Sequence, residues 1–204
     1  MLELSLHILD ILENAVEAGA TRVELRIEED LAADRLTIEV VDNGRGMDEG
    51  TLARVLDPFF TTRQTRHVGL GLPLLAAAAD RCEGALHVES HVGEGTHVAA
   101  TFRHSHIDRA PLGDVRGALL AFLMSERPVD LHYLHRVDAR TFEFDTAELR
   151  ALLGGASDAA DRRRSGSMSA DAGSRSAFTL PPVRRWLGEF IAEGEQELSA
   201  ESGT

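Results

Sequence analysis

Asp10 and Asn14 stand four residues apart in a segment whose apolar residues recur at helical spacing, so their side chains share one face. A carboxylate beside an amide oxygen suits Mg²⁺, which prefers hard oxygen ligands and keeps several waters of its own. His7 lies one turn earlier on the same side, where it could touch a phosphate, orient Asp10 or sit on the helix face as a satisfied histidine. Two residues by themselves fit a solvated helix face equally well, and three further segments are needed to decide.

The first of these, VVDNGRGMD (40–48), directly follows an alternating strand pattern. Asp42 at the strand end can accept the exocyclic amine of an adenine, while Gly44 and Gly46 allow a tight turn and a close backbone approach to a flat ring. The same residues also read as a plain Asx turn. A dinucleotide fold is excluded, since the glycines lack G-x-G-x-x-G spacing and no crossover helix follows. In HVGLGLPLL (67–75), Gly69, Leu70 and Gly71 run into a helix, so free N–H groups and the positive helix end make an anion site there. A P-loop is excluded because that pattern needs a lysine and the chain has none. The last segment, GEGT (93–96), leads into a strand and brings the Thr96 hydroxyl where it could support Asp42 by hydrogen bonding.

These residues need a scaffold of particular elements. Leu4, Ile8, Ile11, Leu12 and Ala15 predict an amphipathic helix over 4–18, with Gly19 as its stop. RVELRI (22–27) and RLTIEV (35–40) alternate with period two and predict a hairpin, as do ALHVES (85–90) and THVAATF (96–102). A short helix is expected over 51–56, and an Ala-rich one over 72–81 with Pro73 in its first turn, where the missing N–H costs nothing. Helices interleaved with paired strands predict a two-layer α/β sandwich, and not a doubly wound sheet, because the turns within each pair are too short for crossover helices. Beyond residue 104 the spacing predicts a helix over 111–124, a hairpin from VDLHYLHRV and TFEFD, and a short helix over 147–153. The expected organisation is therefore 1–104 as one domain, 105–153 as a small α+β extension, 154–177 as a flexible linker of small polar residues, and 178–204 as a final helix and tail.

Composition narrows the classes further. A formal net charge of −13 repels phosphate backbones and anionic lipid, which argues against nucleic acid or membrane as the main partner. With 43% hydrophobic residues the chain can bury a core. Cys82 is the single cysteine, no apolar run reaches a membrane span, and charged residues interrupt the opening segment, so a reduced, cytoplasmic protein is expected.

In register, LDILENAVEAGAT, DNGRGMD, DPFFTTR, VGLGLPLL and GEGTHVAATF resemble the successive boxes of the histidine kinase, gyrase, Hsp90 and mismatch-repair ATPase superfamily over residues 4–102. The resemblance implies the Bergerat ATP-binding fold with ATP and Mg²⁺ as ligands. By position, Asn14 matches the Mg²⁺ ligand, Asp10 the general base and Asp42 the adenine reader, with Gly44 and Gly46 beside it. Gly69, Leu70 and Gly71 match the phosphate-side backbone, Thr96 the threonine near the base, and 47–68, from Met47 through Arg63 and Arg66, the lid over the nucleotide. Two departures stand out: the base position holds Asp where many members keep Glu, and no Lys is available to reach the γ-phosphate as in gyrase-type members. With the first box starting at residue 4, the phosphoaccepting hairpin of sensor kinases is not expected ahead of it, which points to transfer to an unidentified protein partner in trans or to a nucleotide-gated binding module. The whole chain also resembles small ATP-binding proteins encoded beside fermentative iron hydrogenases, through SLHILDI, SHIDRAPLGD and FEFDT.

Other residues carry weaker signals. His104, His106, His132 and His135 read as polar strand residues near the junction more readily than as a metal site. RRRS (162–165) reads as a solvated charge run, and Trp186, Phe190 and Ile191 as one stripe making core or homodimer contact.

Overall fold

The computed structural model describes residues 3–57, 71–124, 129–152, 178 and 180–199. Helix α1 spans Leu4–Glu17 and buries Leu4, Ile8, Ile11, Leu12 and Ala15, the stripe that its sequence marks out. Strand β1 (Arg22–Asp30) and strand β2 (Arg35–Asp42) pair antiparallel from Val23–Asp42 to Asp30–Arg35. In β1, Val23, Leu25 and Ile27 point inward while Glu24 and Arg26 point out, so one sheet face is apolar and the other charged. Strands β3 (Ala85–His91) and β4 (Gly95–Arg103) form the second hairpin, and β4 pairs antiparallel with β2.

Between the hairpins lie a short helix α2 (Glu49–Leu52) and helix α3 (Gly71–Arg81). Helix α2 starts two residues before the expected 51, because the Asp48 carboxylate caps it, accepting from the Thr51 N–H and the Thr51 hydroxyl at 2.9 Å each. Helix α4 covers Val115–Leu123 and not all of 111–124. Asp114 is its N-cap, accepting from the Gly117 N–H at 2.8 Å. The residues before it serve a different helix, since the Pro111 and Leu112 carbonyls accept from the Leu4 and Ser5 N–H groups that open α1. Amides at a helix start have no partner within the helix, and here a distant segment supplies one.

Strand β5 (Asp130–Val137) then lies parallel to β1, and β6 (Arg140–Asp145) pairs antiparallel with β5. The six strands form one sheet in the order β3-β4-β2-β1-β5-β6. Residues 146–152 are helical, and helix α5 (Pro181–Ser199) closes the described chain. Helices α1, α3, α4 and α5 contribute to one continuous core against the apolar sheet face, a two-layer α/β sandwich. The strands that the sequence assigns to an extension therefore share their sheet and core with the first hundred residues. Each fully buried aliphatic side chain in that core, Leu12 or Ile27 for example, contributes about 1.5–3 kcal/mol.

In α5 the buried residues are Leu187, Gly188, Ile191, Gly194 and Leu198. Trp186 is 44% exposed and stacks on Phe190 at 5.5 Å, so of the expected stripe Ile191 alone is fully buried. The linker over 154–177, the RRRS run and the lid residues 58–68, with Arg63 and Arg66, lie outside the described residues.

Candidate functional site

Asp42 ends β2 opposite Thr96 on β4. Its Oδ1 accepts from the Gly44 N–H at 2.7 Å, and the backbone of Thr96 lies close enough to favour its charged form. Burial raises its pKa above the usual carboxylate range, against those two backbone groups. A carboxylate has about four lone-pair sites, so two such groups leave room for the amine of a purine. Thr96 thus supports Asp42 through its backbone, while its hydroxyl is engaged elsewhere, 2.9 Å from the Ser90 Oγ.

Ser90 is the site residue that sequence reasoning missed. It is buried, donates to the Gly95 carbonyl at 2.9 Å and accepts from the Met47 N–H at 2.9 Å. With its one proton given to Gly95, it accepts from Thr96 as well, so a single hydroxyl ties the 42–47 turn to the β3–β4 turn. The signal available in sequence was a serine at an inward position of an otherwise apolar-and-charged strand.

Glycine makes that junction possible. Gly46 has φ +64, and a Cβ there would fall 1.9 Å from the His91 carbonyl oxygen. Gly95 has φ +109, and its Cβ would fall 1.9 Å from the Asp42 carbonyl oxygen. Neither position tolerates a side chain without moving backbone. Asn43 plays a different part, accepting from the Thr21 and Arg22 N–H groups and donating to the Thr21 hydroxyl, which anchors the start of β1. Arg45 fastens the turn to the end of α1, donating from its backbone to the Ala18 carbonyl and from its guanidinium to the Glu17 carbonyl at 3.0 Å each.

Helix α1 carries the other half of the site. Asp10 sits where a Cβ on Gly71 would lie 3.3 Å from the Asp10 Cβ and 3.4 Å from its Oδ2. The carboxyl is thus held against the first residue of α3, where a helix start carries N–H groups with no partner inside the helix and its positive end. Asn14 follows one turn later on α1. Gly69 and Leu70 lie outside the described residues, and Gly71 alone of that trio is placed. A half-buried carboxyl acceptor at one end, a second carboxyl beside a helix N-terminus at the other, and two turns that exclude side chains make an arrangement able to accept a flat base and an anion.

The histidines form no metal cluster among the described residues. His135 is instead 3% exposed and lies between two carboxylates, 2.9 Å from Glu195 on α5 and 3.1 Å from Glu29 on β1. The second Glu29 oxygen is 2.7 Å from His104, and Tyr133 donates to Glu195 at 2.6 Å. Burial pulls the His135 pKa down, but the hydrogen bonds and charges of Glu195 and Glu29 outweigh it and bring it to about 9. This cluster, absent from any motif, ties α5 to the sheet.

Residues 2–106 match the family model described as histidine kinase-, DNA gyrase B-, and HSP90-like ATPase. Sensor protein kinase FleS of Pseudomonas aeruginosa is 40% identical over 109 residues, 53% of this chain and 26% of its own length. Sporulation kinase A of Bacillus subtilis is 34% identical over 97 residues, 46% of this chain and 15% of its own. The chain spans about a quarter or less of these curated relatives. A crystal structure of the N-terminal domain of a DNA repair protein superposes with a TM-score of 0.50 at 14% identity, over 70% of this chain and 52% of that one, a likeness of fold alone.

Proposed function

The chain belongs to the histidine kinase-, DNA gyrase B- and HSP90-like ATPase family, and from that premise we propose that it binds Mg·ATP in the cytoplasm and passes the γ-phosphate to a partner protein. The observation that carries the reading is the Asp10 carboxyl held against Gly71 at the start of α3. A carboxyl there could take a proton beside amides that would face phosphate. In the transfer, the bond from the γ-phosphorus to the bridging oxygen breaks, ADP leaves, and an incoming hydroxyl or imidazole bonds to phosphorus while its proton passes to Asp10. Little further chemistry is needed beyond positioning and charge neutralisation. Asn14 offers the hard oxygen that Mg²⁺ favours, and the ion when bound neutralises phosphate charge. In this reading Asp42 orients the base with Gly44, Gly46, Met47 and Thr96 beside it and Gly71 lies at the phosphate end, and the family resemblance assigns Arg63, Gly69 and Leu70 to the phosphates as well.

The test is phosphate release and labelling from γ-labelled Mg·ATP, by the protein alone and with candidate partners. Labelled partner, lost with Asp10→Asn while nucleotide still binds, is the expected result. Steady phosphate release without any labelled partner would overturn transfer and leave an ATPase.

A second reading is a nucleotide-gated binding module that hydrolyses slowly. It is favoured by Asp in place of Glu at the base position, one methylene shorter, and by β5 lying directly against β1, two strands from the β4 turn of the site. The sequence likeness to proteins encoded beside iron hydrogenases makes a hydrogenase system the first partner to try. Equal partner affinity with ATP, ADP and no nucleotide would sink this reading, since a ligand without differential affinity shifts nothing.

A further inference from the structure

Helices α1 and α3 meet at Asp10 and Gly71, but toward the far end of α3 they part around a cavity of about 270 Å³. At about 30 Å³ of liquid volume per water, that is room for roughly nine waters, near the small end of ligand pockets. Its walls are apolar: Leu4 from α1, Leu74, Ala77 and Ala78 from α3, and Phe102 from β4. Residues four and three apart on α3 supply one continuous face to it.

One polar group interrupts those walls. His7 is 5% exposed and lines the cavity, and its Nδ1 is buried with no hydrogen-bond partner. Burial lowers its pKa, with the Arg81 charge adding to the effect, so the ring is neutral at physiological pH. A buried polar atom without a partner is costly, and the residue that carries this one lines a cavity with room for a partner.

The remaining lining adds two opposite charges. Arg81 closes α3 and Asp108 comes from the 104–114 segment, and both are exposed. The Arg81 Nε donates to the Ala77 carbonyl at 3.3 Å, which steadies the guanidinium. Arg81 and Asp108 both line the cavity, whose other walls are apolar apart from His7 and the Cys82 thiol, and this set of groups matches a zwitterion with an apolar body.

We propose that this cavity is a second ligand site, separate from the nucleotide site, that takes a free α-amino acid with an aromatic side chain. Arg81 receives the carboxylate and Asp108 the ammonium. The ring fills the space between Leu74, Ala78 and Phe102, and a ring hydroxyl or N–H meets His7 Nδ1. A free carboxylic acid answers only Arg81, and a free amine only Asp108, so each lacks half of the polar recognition.

The experiment is calorimetric titration of the full chain, without nucleotide, using L-tyrosine, L-tryptophan and L-phenylalanine, with tyramine and 3-(4-hydroxyphenyl)propionate as half-ligands. The expected result is saturable binding of tyrosine or tryptophan ahead of phenylalanine, with each half-ligand about tenfold weaker. Arg81→Gln and Asp108→Asn, both at exposed positions, should each weaken binding about tenfold while leaving the melting temperature of the free protein unchanged. His7→Phe should erase the preference for tyrosine over phenylalanine. Absence of saturable binding by all three amino acids at millimolar concentration would overturn the proposal, as would binding unaffected by both charge variants.

Discussion

At the β2–β4 side of the sheet, position is set by atoms that are missing; at the β5–β6 side, by charges that are buried. Gly46 and Gly95 bring two turns so close that a methyl on either would overlap a carbonyl of the other strand, and Ser90 links what they bring together. At the other end, α5 is held to β5 and β1 by His135 between Glu29 and Glu195, with Tyr133 and His104 as outer partners. The glycines and Ser90 act through sterics and neutral hydrogen bonds, which hardly respond to pH, and Asp42 beside them is the titrating group at that end. The His135 cluster is electrostatic and titrates. The two ends of one core should therefore fail under different conditions.

The largest effect is expected at the charged end. His135→Leu leaves Glu29 and Glu195 facing each other without the imidazolium, and should cost about 3–5 kcal/mol of unfolding free energy in denaturant melts. A loss below about 1 kcal/mol would mean that apolar packing of Leu187 and Ile191 alone seats α5.

The pH dependence follows from the same group. His135 holds its proton with a pKa of about 9 folded against 6.5 unfolded, so its contribution is complete below pH 6.5 and is lost as pH rises through 9. The change is about 3 kcal/mol at 1.36 kcal/mol per unit. Glu29 shifts the opposite way, below its usual range, chiefly through its hydrogen bond to His135, so its share is present above about pH 4.5 and fades at more acid pH. Unfolding free energy measured across this range should form a plateau with a shoulder falling above neutrality. A flat alkaline limb in the wild type would contradict a charged His135.

Gly46→Ala probes the steric end. It forces a methyl into the His91 carbonyl and a strained φ on alanine, and should cost about 2–3 kcal/mol with no change in the pH profile. A pH-dependent loss would show that the two ends are not independent.

Asp42→Asn keeps the turn but turns the carboxylate into a group with half the acceptor capacity. ATP-analogue affinity should fall by about 10- to 100-fold, the worth of a hydrogen bond to a charged group, with stability nearly unchanged. Unaltered affinity would remove Asp42 from the base-reading role.

Gly194→Ala should give the smallest effect and a telling sign. Alanine favours a helix interior by about 1 kcal/mol, yet here its methyl would overlap the Phe142 ring, so α5 should lose stability by about 1 kcal/mol instead of gaining it. A gain would mean that Phe142 swings aside freely.

Most of the candidate site was legible because it is built from short-range chemistry. Asp42, Gly44 and Gly46 occupy one turn, and the four-residue spacing of Asp10 and Asn14 needs nothing more than a helix. Ser90 was not legible, because a serine in a strand acquires its role from the turn that folds over it, forty-three residues earlier in the chain at Met47. Thr96 lies opposite Asp42 in the strand register, and its hydroxyl lies 2.9 Å from Ser90, a partner that its own segment does not reveal.

Periodicity and turn chemistry alone pointed to the first helix, the two hairpins and the strand-end Asp42, because each depends on residues within twenty positions of one another. Only the tertiary structure decided that β5 lies parallel to β1 inside the same sheet, that Pro111 and Leu112 cap the first helix, and that His135 becomes a buried cation. Those outcomes rest on pairings a hundred residues apart in sequence, and burial, which sets both the strength of a hydrogen bond and the charge of an imidazole, exists only once the layers have closed.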